Sequence, residues 1–124
     1  MDISFTHDGY PIVMHGPDIG RTSCTKSIAM GKKNIADFDL QEMKDGCKLY
    51  NGQVILTLQE VLEKTSSQVK RHFVDVKIHT PEQRQYVAPM LESIKALGLA
   101  DHVMFSSTDD ETNMLFTQTN DILA

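Results

Sequence analysis

The side chains in this 124-residue chain whose types and positions suit chemistry are Asp2, His15, Asp75, Lys77 and the Ser106–Ser107 pair. Asp75 and Lys77 lie two apart in His72-Phe73-Val74-Asp75-Val76-Lys77-Ile78, a run rich in β-formers. Strand alternation puts both on the face of Phe73. Charge buried without a partner is costly, so the two need each other, water or a ligand. A structural ion pair and a ligand site both satisfy that requirement, and spacing does not separate them. His15 closes the apolar run Ile12-Val13-Met14 and precedes Gly16-Pro17, where the chain leaves its strand. A lone histidine there serves either as a hydrogen-bonded structural residue or as a general acid or base. His7, His72, His79 and His102 fall in turns or at strand edges and read as bystanders.

These residues need a frame. Asp8-Gly9, flanked by β-formers, predicts a tight turn between a strand from Asp2 and a second extended run, Pro11–His15. Pro11 suits the start of that run or a sheet edge, because it cannot donate to a ladder. Asp39–Glu42 and Thr57–Glu60 have the spacing of helix-opening capping boxes, the second helix presenting Leu58, Val61 and Leu62. Residues 72–78 predict a strand. Thr80-Pro81 predicts a helix start, followed by the stripe Tyr86, Val87, Met90, Leu91, Ile94 and Leu97, with a kink at Pro89 and a stop at Gly98. Val103–Phe105 predicts a short buried strand, Thr108–Glu111 a last helix, and Asp121–Ala124 the beginning of another strand. From residue 54 onward helices and strands alternate at short spacing, the pattern of parallel βα units, whose ligands collect at the C-terminal ends of strands.

Composition removes several classes. A net charge of -5 argues against nucleic acid as a partner, since phosphate contacts need a basic face. No apolar run reaches the ~18 residues of a transmembrane helix. Cys24 and Cys47 can pair, but they lack the paired spacing of zinc ligands. Glycine-rich nucleotide loops and a Gly-x-Ser-x-Gly elbow are both missing from the sequence.

Taken in order, Asp2–Phe5, Thr6-His7-Asp8-Gly9 and Pro11–His15 resemble the glycerophosphodiester phosphodiesterase family, whose pattern is a Glu-x-Asp strand, a Thr-x-Asp-Gly turn and an apolar run closing in His. Arg21-Thr22 looks like the Arg-Thr that follows that histidine, and Leu56–Leu62 looks like the family's Pro-Thr-Leu-Glu-Glu-Val-Leu helix. Val74-Asp75-Val76-Lys77 is similar to its Ile-Glu-Ile-Lys strand, and Val103–Ser107 resembles the next strand with its Ser-Ser end. The resemblance implies an α/β fold over residues 1–124, a partial (β/α)8 TIM barrel covering roughly its second to fourth strands. Residues 16–56 would form an insertion-like loop and helix segment after the histidine strand.

The implied activity is hydrolysis of small-molecule glycerophosphodiesters to glycerol 3-phosphate and an alcohol, with a divalent cation, Ca2+ or Mg2+. Under the resemblance His15 is catalytic, Asp2 and Asp75 are metal ligands, and Lys77 binds the substrate phosphate. Hard oxygen ligands suit those cations. A cation and Lys77 would offset phosphoryl charge while His15 moves a proton.

The chain also departs from the pattern. Gly16 stands where the family has Asp, and Asp75 is one methylene shorter than Glu. The family's first His-Arg pair and the first carboxylate of Glu-x-Asp would precede Met1, and about half a barrel would follow Ala124. Closing a barrel takes at least about 200 residues, so the rest of a barrel or a second copy is expected to cover the strand edges. The 124 residues alone are expected to turn over little substrate. The alternative is a non-catalytic partial barrel that binds phosphate compounds or a protein partner. A receiver-type phosphorylation domain fits the length but needs a late lysine, and no lysine follows Lys95.

Overall fold

The computed structural model describes residues 1–14, 22–24, 34–49, 54–68 and 71–118. Strand β1 (Asp2–Phe5) turns through Asp8-Gly9 into the antiparallel β2 (Pro11–Val13), with Ile3 opposite Val13 and Phe5 opposite Pro11. The turn needs a glycine, because Gly9 has φ +87°. β1 also pairs in parallel with β5 (His72–Val76), and β5 with β6 (Val103–Ser106), giving the order β2-β1-β5-β6. Pro11 begins an edge strand, where its missing N–H leaves no ladder bond unmade. A second, two-stranded sheet joins β3 (Thr22–Cys24) to β4 (Cys47–Leu49). Cys24 and Cys47 are register partners there, and Cys47 is disulfide-bonded.

Helices α1 (Leu40–Gly46), α2 (Leu58–Thr65), α3 (Val87–Ala96) and α4 (Asp110–Gln118) complete the described regular structure, together with three short 3-10 turns. One face of the four-stranded sheet is sealed. Ile3, Phe5, Val74, Val76, Val103 and Phe105 pack there with Leu58 and Leu62 of α2, Val87, Leu91 and Ile94 of α3, and Phe116 of α4. Ile12, Met14, Ile35, Phe38, Met43 and Ile55 form a smaller core under the hairpin. On the other face the smaller core covers β2, where Ile12, register partner of Ser4, packs with Met43 of α1, while Phe73 on β5 is 70% exposed.

Several elements differ from expectation. Pro81–Tyr86 is a 3-10 helix and α3 begins at Val87, so Pro89 lies in a first turn, where its missing N–H costs nothing and no kink follows. Leu97 is exposed rather than part of the buried stripe. It is the C-cap of α3, and the chain then reverses through Gly98 (φ +71°), with Leu99 N–H donating to Ile94 O and Gly98 N–H to Lys95 O. The residue capping α4 is Asp109, one later than Thr108, and it accepts from Thr112 N–H. Within 16–56 the described parts add β3, β4 and a 3-10 turn to the expected helix. His15, Arg21 and the expected strand from Asp121 lie outside the described residues.

Candidate active site

Asp2 is bracketed by the parallel ladder: Asp75 N–H donates to Met1 O (2.8 Å) and Lys77 N–H to Ile3 O (3.0 Å). Asp2 and Asp75 are register partners, and Asp75 is in turn the partner of Ser106. Residues opposite one another in a parallel pair share a face, so both carboxylates and Ser106 stand on the side of the sheet opposite Ile3, Val76 and Phe105. Lys77 Nζ reaches Asp75 Oδ2 at 2.7 Å, with both side chains less than one-third exposed. The hydrogen bond that Lys77 donates to Asp75 raises the Lys77 pKa against a smaller burial effect, and the charges of Asp75 and Asp2 raise it further. The expected ion pair is therefore present, set beside the second carboxylate. Asp75 lies at the C-terminal end of β5, and Lys77 is the first residue after it.

The sequence around Asp2 ties the hairpin to this site. Met14 N–H donates to Asp2 O (3.1 Å), so the described chain runs back to Asp2 one residue before His15. The Thr6-His7-Asp8-Gly9 turn at the far tip is architectural. Thr6 Oγ1 donates to Asp8 Oδ1 (2.6 Å) and accepts from Tyr10 N–H, while Asp8 Oδ1 also accepts from Leu40 N–H at the start of α1. Tyr86 O–H donates to His7 O (3.0 Å), and its ring lies where a Gly9 side chain would stand.

Of the Ser106–Ser107 pair, Ser107 is committed to structure. Its hydroxyl donates to Val76 O (2.7 Å) and accepts from Asp109 N–H. Two residues read as plain frame or as bystanders stand in the site instead. Ser4, fully buried, lies on the face of Asp2, and its hydroxyl meets His79 Nε2 at 3.2 Å. Continuing the two-residue alternation, from Asp2 to Ser4 and from Lys77 to His79, is the signal that could have found them. His7 and His72 hold local contacts with Asp39 and Thr65.

Among the described residues no group of three or more His, Cys, Asp or Glu side chains converges as a metal site. Asp2 and Asp75 supply oxygen donors on adjacent strands, the donor chemistry that Ca2+ or Mg2+ takes, although such ions need six or more ligands in all. A separate cavity of about 460 Å³ lies between the hairpin tip, α1, α2 and α3, beside the Lys44–Glu60 ion pair (2.5 Å). None of the residues named for the site lines it. No described helix is long and apolar enough to cross a membrane.

The model of the Glycerophosphoryl diester phosphodiesterase family matches residues 1–121. No curated protein matches the chain in sequence. Among solved structures, a glycerophosphodiester phosphodiesterase from Parabacteroides distasonis is similar with a TM-score of 0.75 and 25% identity, over 94% of this chain and 45% of that one. A glycerophosphodiester phosphodiesterase from Agrobacterium tumefaciens has the same fold at a TM-score of 0.73 and 14% identity, over 97% of this chain and 49% of that one. The chain thus spans about half the length of these structures.

Proposed function

Because the chain belongs to the glycerophosphoryl diester phosphodiesterase family, we propose that it carries part of the active site of a metal-dependent enzyme that hydrolyses glycerophosphodiesters to glycerol 3-phosphate and an alcohol. The observation that supports this most is the in-register Asp2–Asp75 pair with Lys77 beside it, on the sheet face opposite the main core. Asp2 and Asp75 would hold a divalent cation. A bound Ca2+ or Mg2+ supplies stabilisation of phosphoryl charge. Lys77, kept charged by its carboxylate neighbours, contributes an ammonium to the same anion. His15, the residue after Met14, is the proton-transfer group of this reading.

The half-length match and the exposed Phe73 face favour a second reading for the 124 residues by themselves, a binding module whose catalytic surface is completed elsewhere. The test is release of glycerol 3-phosphate from glycerophosphocholine with and without a chelator, measured on the 124 residues and on the gene product that carries them. The expected outcome is chelator-sensitive turnover by that gene product and little by the segment. Turnover that ignores the chelator contradicts the metal-dependent reading.

A further inference from the structure

Asp75, Lys77 and His79 follow one another at two-residue spacing, and His79 lies beyond the strand motif that defines the site. Its position is set twice. The backbone N–H donates to Oε1 of Gln83, a buried side chain (2.9 Å), and the ring Nε2 meets the buried Ser4 hydroxyl. Ser4 Oγ also contacts Met14 O at 3.4 Å, and a carbonyl only accepts. The hydroxyl can donate to Met14 or to His79, and in either case Nε2 is engaged by Ser4 and Nδ1 is the ring nitrogen left for a ligand. Burial, helped by the Lys77 charge, pushes the His79 pKa below the usual histidine range, so the ring is neutral at pH 7.

The end of β5 and the extended residues after it thus present a carboxylate, an ammonium and a neutral imidazole in sequence, each step ~7 Å along the chain. That order matches an ester whose anionic phosphate is held at Lys77 and whose short substituent bears hydroxyl donors. We propose that His79 is a specificity residue whose Nδ1 hydrogen-bonds a hydroxyl of the glycerol moiety, with Ser4 as its positioning residue. The proposal rests on the phosphodiesterase reading and names the group that distinguishes glycerol from other substituents.

The test compares binding of glycerol 3-phosphate and methyl phosphate to the 124-residue chain in magnesium buffer, by NMR titration or calorimetry. Both probes carry the same phosphate, and only one carries hydroxyls. Wild type is expected to prefer glycerol 3-phosphate by about 3- to 10-fold, the worth of one neutral hydrogen bond. His79→Ala should remove the preference while leaving methyl phosphate affinity unchanged. His79→Gln, which keeps an acceptor, should retain much of it, and its circular dichroism checks the fold. A wild type without preference overturns the proposal, as does a preference that survives His79→Ala or an equal loss for both probes. A wild type that binds neither ester overturns the phosphate-site reading as well, which is a different result from a preference insensitive to His79.

Discussion

Asp109→Ala tests how the strand ends under the site are held. Asp109 follows β6 and caps α4, accepting from Thr112 N–H (3.0 Å) and Thr112 Oγ1 (2.6 Å). It also takes a two-pronged contact from Arg84, at 2.9 Å from Nε and 2.7 Å from Nη2, which ties the turn after β5 to the turn after β6. Removing the cap costs about 1–2 kcal/mol, and loss of the arginine contact acts in the same direction. For a chain of this length that corresponds to a Tm lowered by roughly 4–8 °C at pH 7. Arg84, with help from Thr112, holds the Asp109 carboxyl well below the usual carboxylate range.

A depressed folded-state pKa means that the unfolded chain takes up the proton first as pH falls. The stabilisation is therefore complete above about pH 5 and is lost progressively below the unfolded value near 4. In thermal melts of wild type and Asp109→Ala at pH 7, 5 and 3, the gap should be the same at pH 7 and 5 and narrower at pH 3. Asp109→Asn, which keeps one cap oxygen, should fall between them at pH 7. A gap that stays constant from pH 7 to 3, or that is absent at pH 7, refutes the assignment.

Gly9→Ala should lose about 3 kcal/mol in urea unfolding, because an alanine at φ +87° is strained and its Cβ would stand 2.6 Å from Tyr86 Cε1. An unchanged midpoint would mean that the hairpin tip is not clamped as described. Tyr86→Phe removes only the hydrogen bond to His7 O and should cost about 1 kcal/mol by the same assay, with no effect expected from the ring itself. Lys77→Met should weaken methyl phosphate binding several-fold while leaving the melting temperature within about 3 °C, since its partner Asp75 stays partly solvated. Equal binding by wild type and variant would remove Lys77 from the phosphate site.

Much of the frame follows from local pattern. Asp8-Gly9 marks the hairpin, the alternation of residues 72–77 puts Asp75 and Lys77 together, and the Thr57 and Glu60 reciprocal hydrogen bonds form as their spacing predicts. What was not legible depends on long separations or on competing neighbours. β3 and β4 are three-residue strands whose pairing joins distant segments, too short for either to show a period. The Ser4–His79 contact spans 75 residues and has no local signature. Thr108 and Asp109 are both good caps, and the Arg84 contact accompanies the choice of the second. Pro89 reads as a kink only if one helix runs from Pro81. The change from 3-10 to α at Val87 moves it into a first turn.

The central claim is that the carboxylates joined in register across β1 and β5 belong to a phosphodiesterase site. Its most direct measurement is glycerol 3-phosphate release from glycerophosphocholine by the gene product that carries this chain, wild type against Asp75→Asn. Asparagine keeps the size of the side chain and removes its charge. The account predicts metal-dependent release that falls at least about 100-fold in the variant, the scale set by losing electrostatic stabilisation of the transition state. Equal rates for the two proteins, or no release by wild type with either cation supplied, would contradict it.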